Sequence, residues 1–415
     1  MKKLNAWLHL WLGLFSGIIV LIVSITGCIY VFEKEISGLY EPWRYVQPQA
    51  KAYLSPSQLS SAAEKSMGGK KVTAVTYKQR DESAIVASYD RKAGIYTAIS
   101  VNPYTGEVLN AKTTSRHGGG EFNFFTFILN GHRALWLPYT IGRPIVGVGV
   151  LVFVVLLITG LILWWPKKWS RTNINKSFKI KFRGSFKRVN YDTHNVLGFY
   201  GMLFLLIVAM TGLVWSFQWF SKSLYWVTSG GKSMTEFSAM QSDTTIIKDF
   251  QMASVDKVWA AVSKETNEGM YISVPQKPAD VIGATLYLRA GTYYKTNNYY
   301  YDQKTLKPLK ASGPYAGRYE DANMADKLRR MNYDIHIGAI LGIPGKIIAF
   351  IISLISASLP VTGFLIWWGK KKKSKKKAKG KTESSAGLTG RDSAVRRVPP
   401  VKRKQVAAVT ETVVD

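Results

Sequence analysis

Residues 7–32 read WLHLWLGLFSGIIVLIVSITGCIYVF, an apolar run broken near its start by His9 and near its end by Thr26-Gly27. At about 1.5 Å per residue the run is long enough to cross a bilayer core of roughly 30 Å. Lipid offers the backbone no partners, so a helix is required. Lys2 and Lys3 precede it as in a secretory leader, but the run is too long for a leader's apolar region. Glu33, Lys34 and Glu35 follow in place of a cleavage site, so an uncleaved helix is expected to anchor the N-terminus in the cytoplasm.

Three further runs, at about 142–165, 195–220 and 338–368, have the same character. A single soluble globule is thereby excluded. The formal charge of +30, from 56 Lys and Arg against 26 Asp and Glu, would suit a nucleic-acid binder if the basic residues covered a folded domain. Instead they flank the apolar runs. Lys2 and Lys3, the 167–190 loop with nine Lys or Arg and no acid, and the basic stretch from Lys370 to Lys381 belong on the cytoplasmic side, the last suited to anionic lipid. Segments of mixed charge at about 33–130 and 221–333 are then external. Cys28 is the only cysteine, which leaves no disulfide framework, no thiolate metal site and no motif for covalent haem attachment.

Thr-Gly recurs near the far end of every run, at Thr26-Gly27, Thr159-Gly160, Thr211-Gly212 and Thr362-Gly363, where small residues permit close helix packing. His9-Leu-Trp-Leu-Gly13 also matches His194-Asn-Val-Leu-Gly198, each His seventeen positions before its Thr. The second and fourth runs share an upstream His, a Gly-rich entry and a closing Trp-Trp. An internal twofold repeat of helix, outer segment, helix is expected. Each outer segment reads as a short helix followed by a small antiparallel sheet. The first has a helix at 56–67, strands near 72–78, 84–89 and 96–102, and a turn at Asn102-Pro-Tyr-Thr-Gly106; the second has a helix at 254–264, strands near 269–274, 284–289 and 293–301, and a turn from Asp302.

Four of the five histidines then pair by depth: His9 with His194 at the cytoplasmic face, His132 with His336 at the outer face. Ionisable residues at bilayer depth mark functional sites by default. Two imidazoles on two helices at one level suit the axial positions of one haem iron, so two non-covalent haems, one near each face, are expected. Filled axial positions favour electron transfer over oxygen chemistry. Arg133 and Arg143 would neutralise outer propionates, with Lys346 as a further candidate; Arg188 or Lys187 would serve inside. Gly13, Gly17, Gly198, Gly201, Gly338 and Gly342 would admit a flat macrocycle. Each residue also has a plainer reading, since a lone interfacial His is commonly a belt residue, Gly serves helix packing and Arg snorkels. His117, in a Gly-rich external loop, reads as solvent-exposed or as a substrate contact. No nucleotide-binding, zinc-protease or serine-hydrolase motif is present.

The chain resembles the PepSY-associated transmembrane family, and within it the di-haem ferric-siderophore reductases of bacterial inner membranes. Carrying the resemblance are His9 to Gly13, Val101-Asn-Pro-Tyr-Thr-Gly-Glu-Val-Leu109, His132-Arg133 with Gly142-Arg143, residues 161–166, His194 to Gly198 with Thr211-Gly212, and residues 336–368. The second outer segment departs, with Asp302-Gln-Lys-Thr-Leu306 in place of the first turn. The resemblance implies an all-α bundle of four transmembrane helices with two periplasmic α+β PepSY-like domains. It also implies two haem b groups held by His9, His194, His132 and His336, and one-electron reduction of a ferric siderophore or other ferric chelate. The donor would be an unidentified cytoplasmic reductase or a quinol.

The expected divisions are the N-terminus with helix one (1–33), PepSY-like domain one (34–120), a pre-helix with helix two (121–166) and a basic loop (167–190). Helix three (191–220), PepSY-like domain two (221–333), helix four (334–369) and a disordered basic tail (370–415) follow. The alternatives are a membrane-anchored protein that binds or inhibits periplasmic peptidases, and a transporter.

Overall fold

The computed structural model describes residues 2–115, 122–166, 168–238, 240–246, 250–266 and 268–389, with backbone alone from 372. His117 and the tail from 390 lie outside the described residues. The helices are α1 (Lys2–Tyr30), α2 (Glu33–Tyr40), α3 (Pro56–Met67), α4 (Phe124–Ala134), α5 (Tyr139–Trp164) and α6 (Arg171–Phe178), then α7 (Phe186–Ser216), α8 (Gln218–Thr228), α9 (Met252–Val262), α10 (Met324–His336) and α11 (Gly342–Thr389). Four segments are long and apolar enough to cross a membrane: α1, α5, α7 and Ala339–Lys371. The chain divides into two units, residues 1–365 and 366–415. In the second, α11 runs on past Trp367 and Trp368, and Lys371 lies over the Trp367 ring at 5.0 Å.

Lipid gives no hydrophobic drive for helix association, so close contact must come from small residues. A Cβ on Gly149 of α5 would fall 2.7 Å from Ile19 Cγ2 of α1, and one on Gly17 would fall 3.3 Å from Pro360 Cβ of α11. Leu157, Leu205 and Ile352 fill the centre of the bundle, and Ser24 donates to Ser356 at 2.8 Å between α1 and α11.

The strands are β1 (Ala74–Tyr77), β2 (Ala84–Asp90), β3 (Ile95–Val101), β4 (Val108–Ser115), β5 (Met270–Ser273), β6 (Val281–Tyr287) and β7 (Thr296–Asp302). Patterning predicts a small sheet in each outer segment; the structure joins them edge to edge. β1 pairs antiparallel with β5, Val75 opposite Ile272 and Tyr77 opposite Met270, giving one seven-stranded sheet in the order β4-β3-β2-β1-β5-β6-β7. Alternation puts Val75, Val86, Ile99, Ile272, Ile282 and Leu286 on one face, where α3 and α9 cover them with Leu59, Ala63, Met67, Val255, Val258 and Val262. Side chains of this size contribute about 1.5–3 kcal/mol each when fully buried. A capping box between Ser55 and Gln58 starts α3, and Asp256 of α9 accepts from Ser57 N at 2.9 Å, fixing the two helices to each other.

The two turns that differ in sequence have the same form. Asn102 Oδ1 accepts from Tyr104 N and Asn102 O from Gly106 N; Asp302 Oδ1 accepts from Lys304 N and Asp302 O from Leu306 N. The residue that closes each turn has positive φ, +79° at Gly106 and +59° at Leu306. An apolar side chain thus occupies a backbone region that favours glycine. Leu306 also packs against the sheet core.

Candidate functional site

At each of four meetings between helices a histidine of one helix touches a Thr-Gly pair of another. His9 of α1 meets Thr159-Gly160 of α5, and His194 of α7 meets Thr362-Gly363 of α11. His132, near the end of α4, meets Thr26-Gly27 of α1, and His336, the last residue of α10, meets Thr211-Gly212 of α7. Cβ atoms on Gly27, Gly160 and Gly363 would lie 3.2, 3.2 and 3.3 Å from the imidazole Cε1, so hydrogen at these positions makes room for the ring.

The threonines fix the tautomer. Thr159 Oγ1 gives its hydrogen to its own helix, 2.9 Å from Val155 O, while lying 2.9 Å from His9 Nδ1. A hydroxyl that has spent its hydrogen can only accept, so His9 Nδ1 is the donor. Thr362 does the same for His194, with its hydrogen on Ser358 O at 2.8 Å and Nδ1 at 2.9 Å. In the other two cases a carbonyl is also present: Val23 O lies 2.9 Å from His132 Nδ1, and Val208 O lies 3.2 Å from His336 Nδ1. A carbonyl only accepts, so Nδ1–H is fixed there as well. All four imidazoles are left with Nε2 as the lone-pair nitrogen, the form that ligates a metal.

The rings face each other in pairs. His9 and His194 have ring centres 6.3 Å apart, and His132 and His336 have theirs 6.1 Å apart, with ring planes at 83° and 67°. A metal–imidazole bond of about 2 Å plus about 1.1 Å from nitrogen to ring centre puts two rings on opposite sides of one ion about 6 Å apart. Both pairs have that spacing. Among the described residues no three His, Cys, Asp or Glu side chains gather into a metal site. Two imidazoles at that spacing, with no third such side chain beside them among the described residues, could hold an ion whose other positions a macrocycle fills.

A cavity of about 350 Å³ surrounds the outer pair, and Arg133 and Arg143 line it together with His132, His336, Tyr30, Tyr333 and Trp215. Trp215 stands edge-on to His336 with ring centres 5.2 Å apart. Arg143 also donates to Trp215 O. Of the phenylalanines before His132, Phe125 is buried and contacts Tyr30, whereas Phe122, Phe124 and Phe127 are exposed. The α4 residues that line the cavity are Leu129, His132 and Arg133.

A family model described as the PepSY-associated TM region matches residues 6–370. The chain belongs to that family. No curated protein matches it. In this PepSY-associated chain several residues singled out from the sequence have partners of their own. Lys346 is paired with Glu35 at 2.7 Å, and Arg188 with the fully buried Asp192 at 2.8 Å, so both cations already have carboxylate partners. Gly13, Gly17, Gly198 and Gly201 abut Leu156, Pro360, Leu359 and Ile355 of neighbouring helices, and the glycines that touch imidazole are those of the Thr-Gly pairs. Gly338 and Gly342 adopt positive φ at the bend between α10 and α11.

The sequence reading also passed over residues that hold the pairs. Asn5, Asn190 and Asn332 stand four before His9, His194 and His336, and their Nδ2 atoms donate to the carbonyls of Thr159, Thr362 and Thr211 at 3.0, 3.0 and 3.1 Å. Ile128 occupies that position before His132. A spacing of Asn-x-x-x-His in three of four sites was the available signal. Arg330 of α10, 3% exposed, donates to Pro314 O, Thr296 O and Ala316 O, and Asp334 accepts from Tyr293 N at 2.9 Å. The helix that ends in His336 is therefore bolted to the sheet.

Proposed function

We propose that the chain is a transmembrane electron conduit with two haem b groups, one held by His9 and His194 and the other by His132 and His336. The single observation that carries this reading is the doubled arrangement of opposed imidazoles, 6.3 and 6.1 Å apart, each with Nδ1 engaged as donor. Haem supplies a one-electron iron couple when bound. The threonine hydroxyls and the Val23 and Val208 carbonyls keep each Nε2 unprotonated and each ring in place. Arg133 and Arg143 supply positive charge where carboxylates of the group would meet the outer cavity.

Seventeen residues separate His9 from Thr26, which touches His132. At 1.5 Å per residue that is about 25 Å, most of a bilayer core. The basic pieces of sequence support a cytoplasmic position for His9 and His194 and a periplasmic one for the sheet, across a bacterial inner membrane. Repetition of His, Thr-Gly and Asn in both halves supports an internal twofold repeat. Electrons pass from a cytoplasmic reductase or a quinol toward a periplasmic ferric chelate, with a ferric siderophore the favoured acceptor. Hard oxygen donors hold ferric iron better than ferrous, so one added electron releases the metal.

A visible spectrum of the purified protein with a haem count tests the proposal. Two b-type haems per chain are expected, falling to about one in His132→Ala and in His9→Ala; a colourless preparation, or unchanged haem in both variants, would refute it. Reduced protein mixed with a ferric hydroxamate should reoxidise and yield ferrous iron.

A further inference from the structure

Away from the histidines, the seam where β1 meets β5 opens into a second cavity of about 220 Å³. One wall is aromatic. Tyr77 is sandwiched between Tyr53 and Trp259, with ring centres 5.7 Å away on each side and ring planes tilted by 21° and 27°. Lys51, Lys78 and Arg80 line the same cavity, and no Asp or Glu does.

None of the ion pairs among the described residues uses Lys51, Lys78 or Arg80. Arg80 Nη2 donates to Gln49 O at 2.6 Å, which leaves its charge uncompensated. Asp256, the acid on α9, is already taken by Ser55 and Ser57. Burial lowers the pKa of Lys78, with Glu82 and Glu33 opposing the shift and Arg44 and Lys34 adding to it, so the cations left to the cavity are Lys51 and Arg80. Lys51 and Arg80 beside a stacked aromatic wall provide both charge-assisted hydrogen bonds and a π face.

We propose that this cavity binds a small planar aromatic anion, an aryl carboxylate whose ring lies against the Tyr53, Tyr77 and Trp259 stack and whose carboxylate meets Lys51 and Arg80. Both outer segments contribute residues, since Lys51 to Arg80 precede the second span and Trp259 to Met270 follow the third. The site therefore exists only when β1 and β5 are paired. It is separate from the histidine pairs and stands whether or not they hold haem.

The test is calorimetric titration of the full-length chain in detergent with salicylate. Saturable binding is expected, weakened at least about ten-fold by the double substitution Lys51→Gln, Arg80→Gln and by Trp259→Leu. Cyclohexanecarboxylate, which keeps the charge without a π face, and phenol, which keeps the ring without the charge, should each bind about ten-fold more weakly than salicylate. Lys51 and Arg80 are exposed, so the double variant should keep the parent melting temperature. Absence of salicylate binding, or equal binding by the double variant, overturns the proposal.

Discussion

Thr159 and His9 lie on different helices, and the Thr159 hydroxyl, committed as donor to its own backbone, receives the Nδ1 hydrogen of His9 at 2.9 Å. Substitution Thr159→Val keeps the branched shape and removes the acceptor. Partners of this kind are worth about 10–100-fold in metal affinity, so haem affinity at the His9 site should drop by that factor while Thr159→Ser stays near the parent. Haem titration of the stripped protein reads the change, and parent-like loading of the valine variant would remove the hydroxyl from the mechanism.

Gly142 controls how closely α4 approaches α5. A Cβ there would stand 2.0 Å from the Ala134 carbonyl oxygen, a backbone atom with no freedom to swing aside. Gly142→Ala should therefore displace the end of α4 and cost about 1–3 kcal/mol. A lower melting temperature is expected, with cofactor lost first from the His132 and His336 site.

Arg330 holds α10 to the start of β7 and to the loop that follows β7 through three carbonyls. Arg330→Met would strip all three acceptors at once, at roughly 3 kcal/mol or more for charge-assisted bonds. The expected phenotype is selective: haem content near His336 falls and that near His9 holds. Equal loss at both sites would mean that α10 does not position the outer pair independently.

Asp302 gives the second turn a pH dependence. Burial acts to raise its pKa, but hydrogen bonds from Thr305 N, Asp243 N, Lys304 N and the Thr305 hydroxyl prevail and hold it at about 2, below the ordinary 3.8. A folded-state pKa below the unfolded one means that the stabilisation is complete above about pH 4 and disappears as pH falls through about 2. Amide exchange at Lys304 and Thr305, corrected for its intrinsic rate, should accelerate across that window, whereas Asp302→Asn should flatten the response.

Much of this architecture was legible in the chain. Hydropathy located the four spans to within several residues, and period-two alternation located six of the described strands, missing β4. Depth alone matched His9 with His194 and His132 with His336. What escaped were contacts between residues far apart in sequence. Thr159 is 150 positions from His9, so its Thr-Gly pair read only as a small packing surface. Lys346 and Arg188 looked like free cations because Glu35 and Asp192 become their partners through folding. The Asp302 turn looked foreign because Leu306 stands where Gly106 does, although the backbone bonds are the same. Pairing of β1 with β5 left no trace in either strand's alternation, which reports which face is buried and not which neighbour is adjacent.

That shared edge bears on biogenesis. The ribosome delivers β1 almost two hundred residues before β5, and until then β1 presents bare amides and carbonyls to whatever is nearby. Only after the third span has inserted can the newborn protein close its own seam.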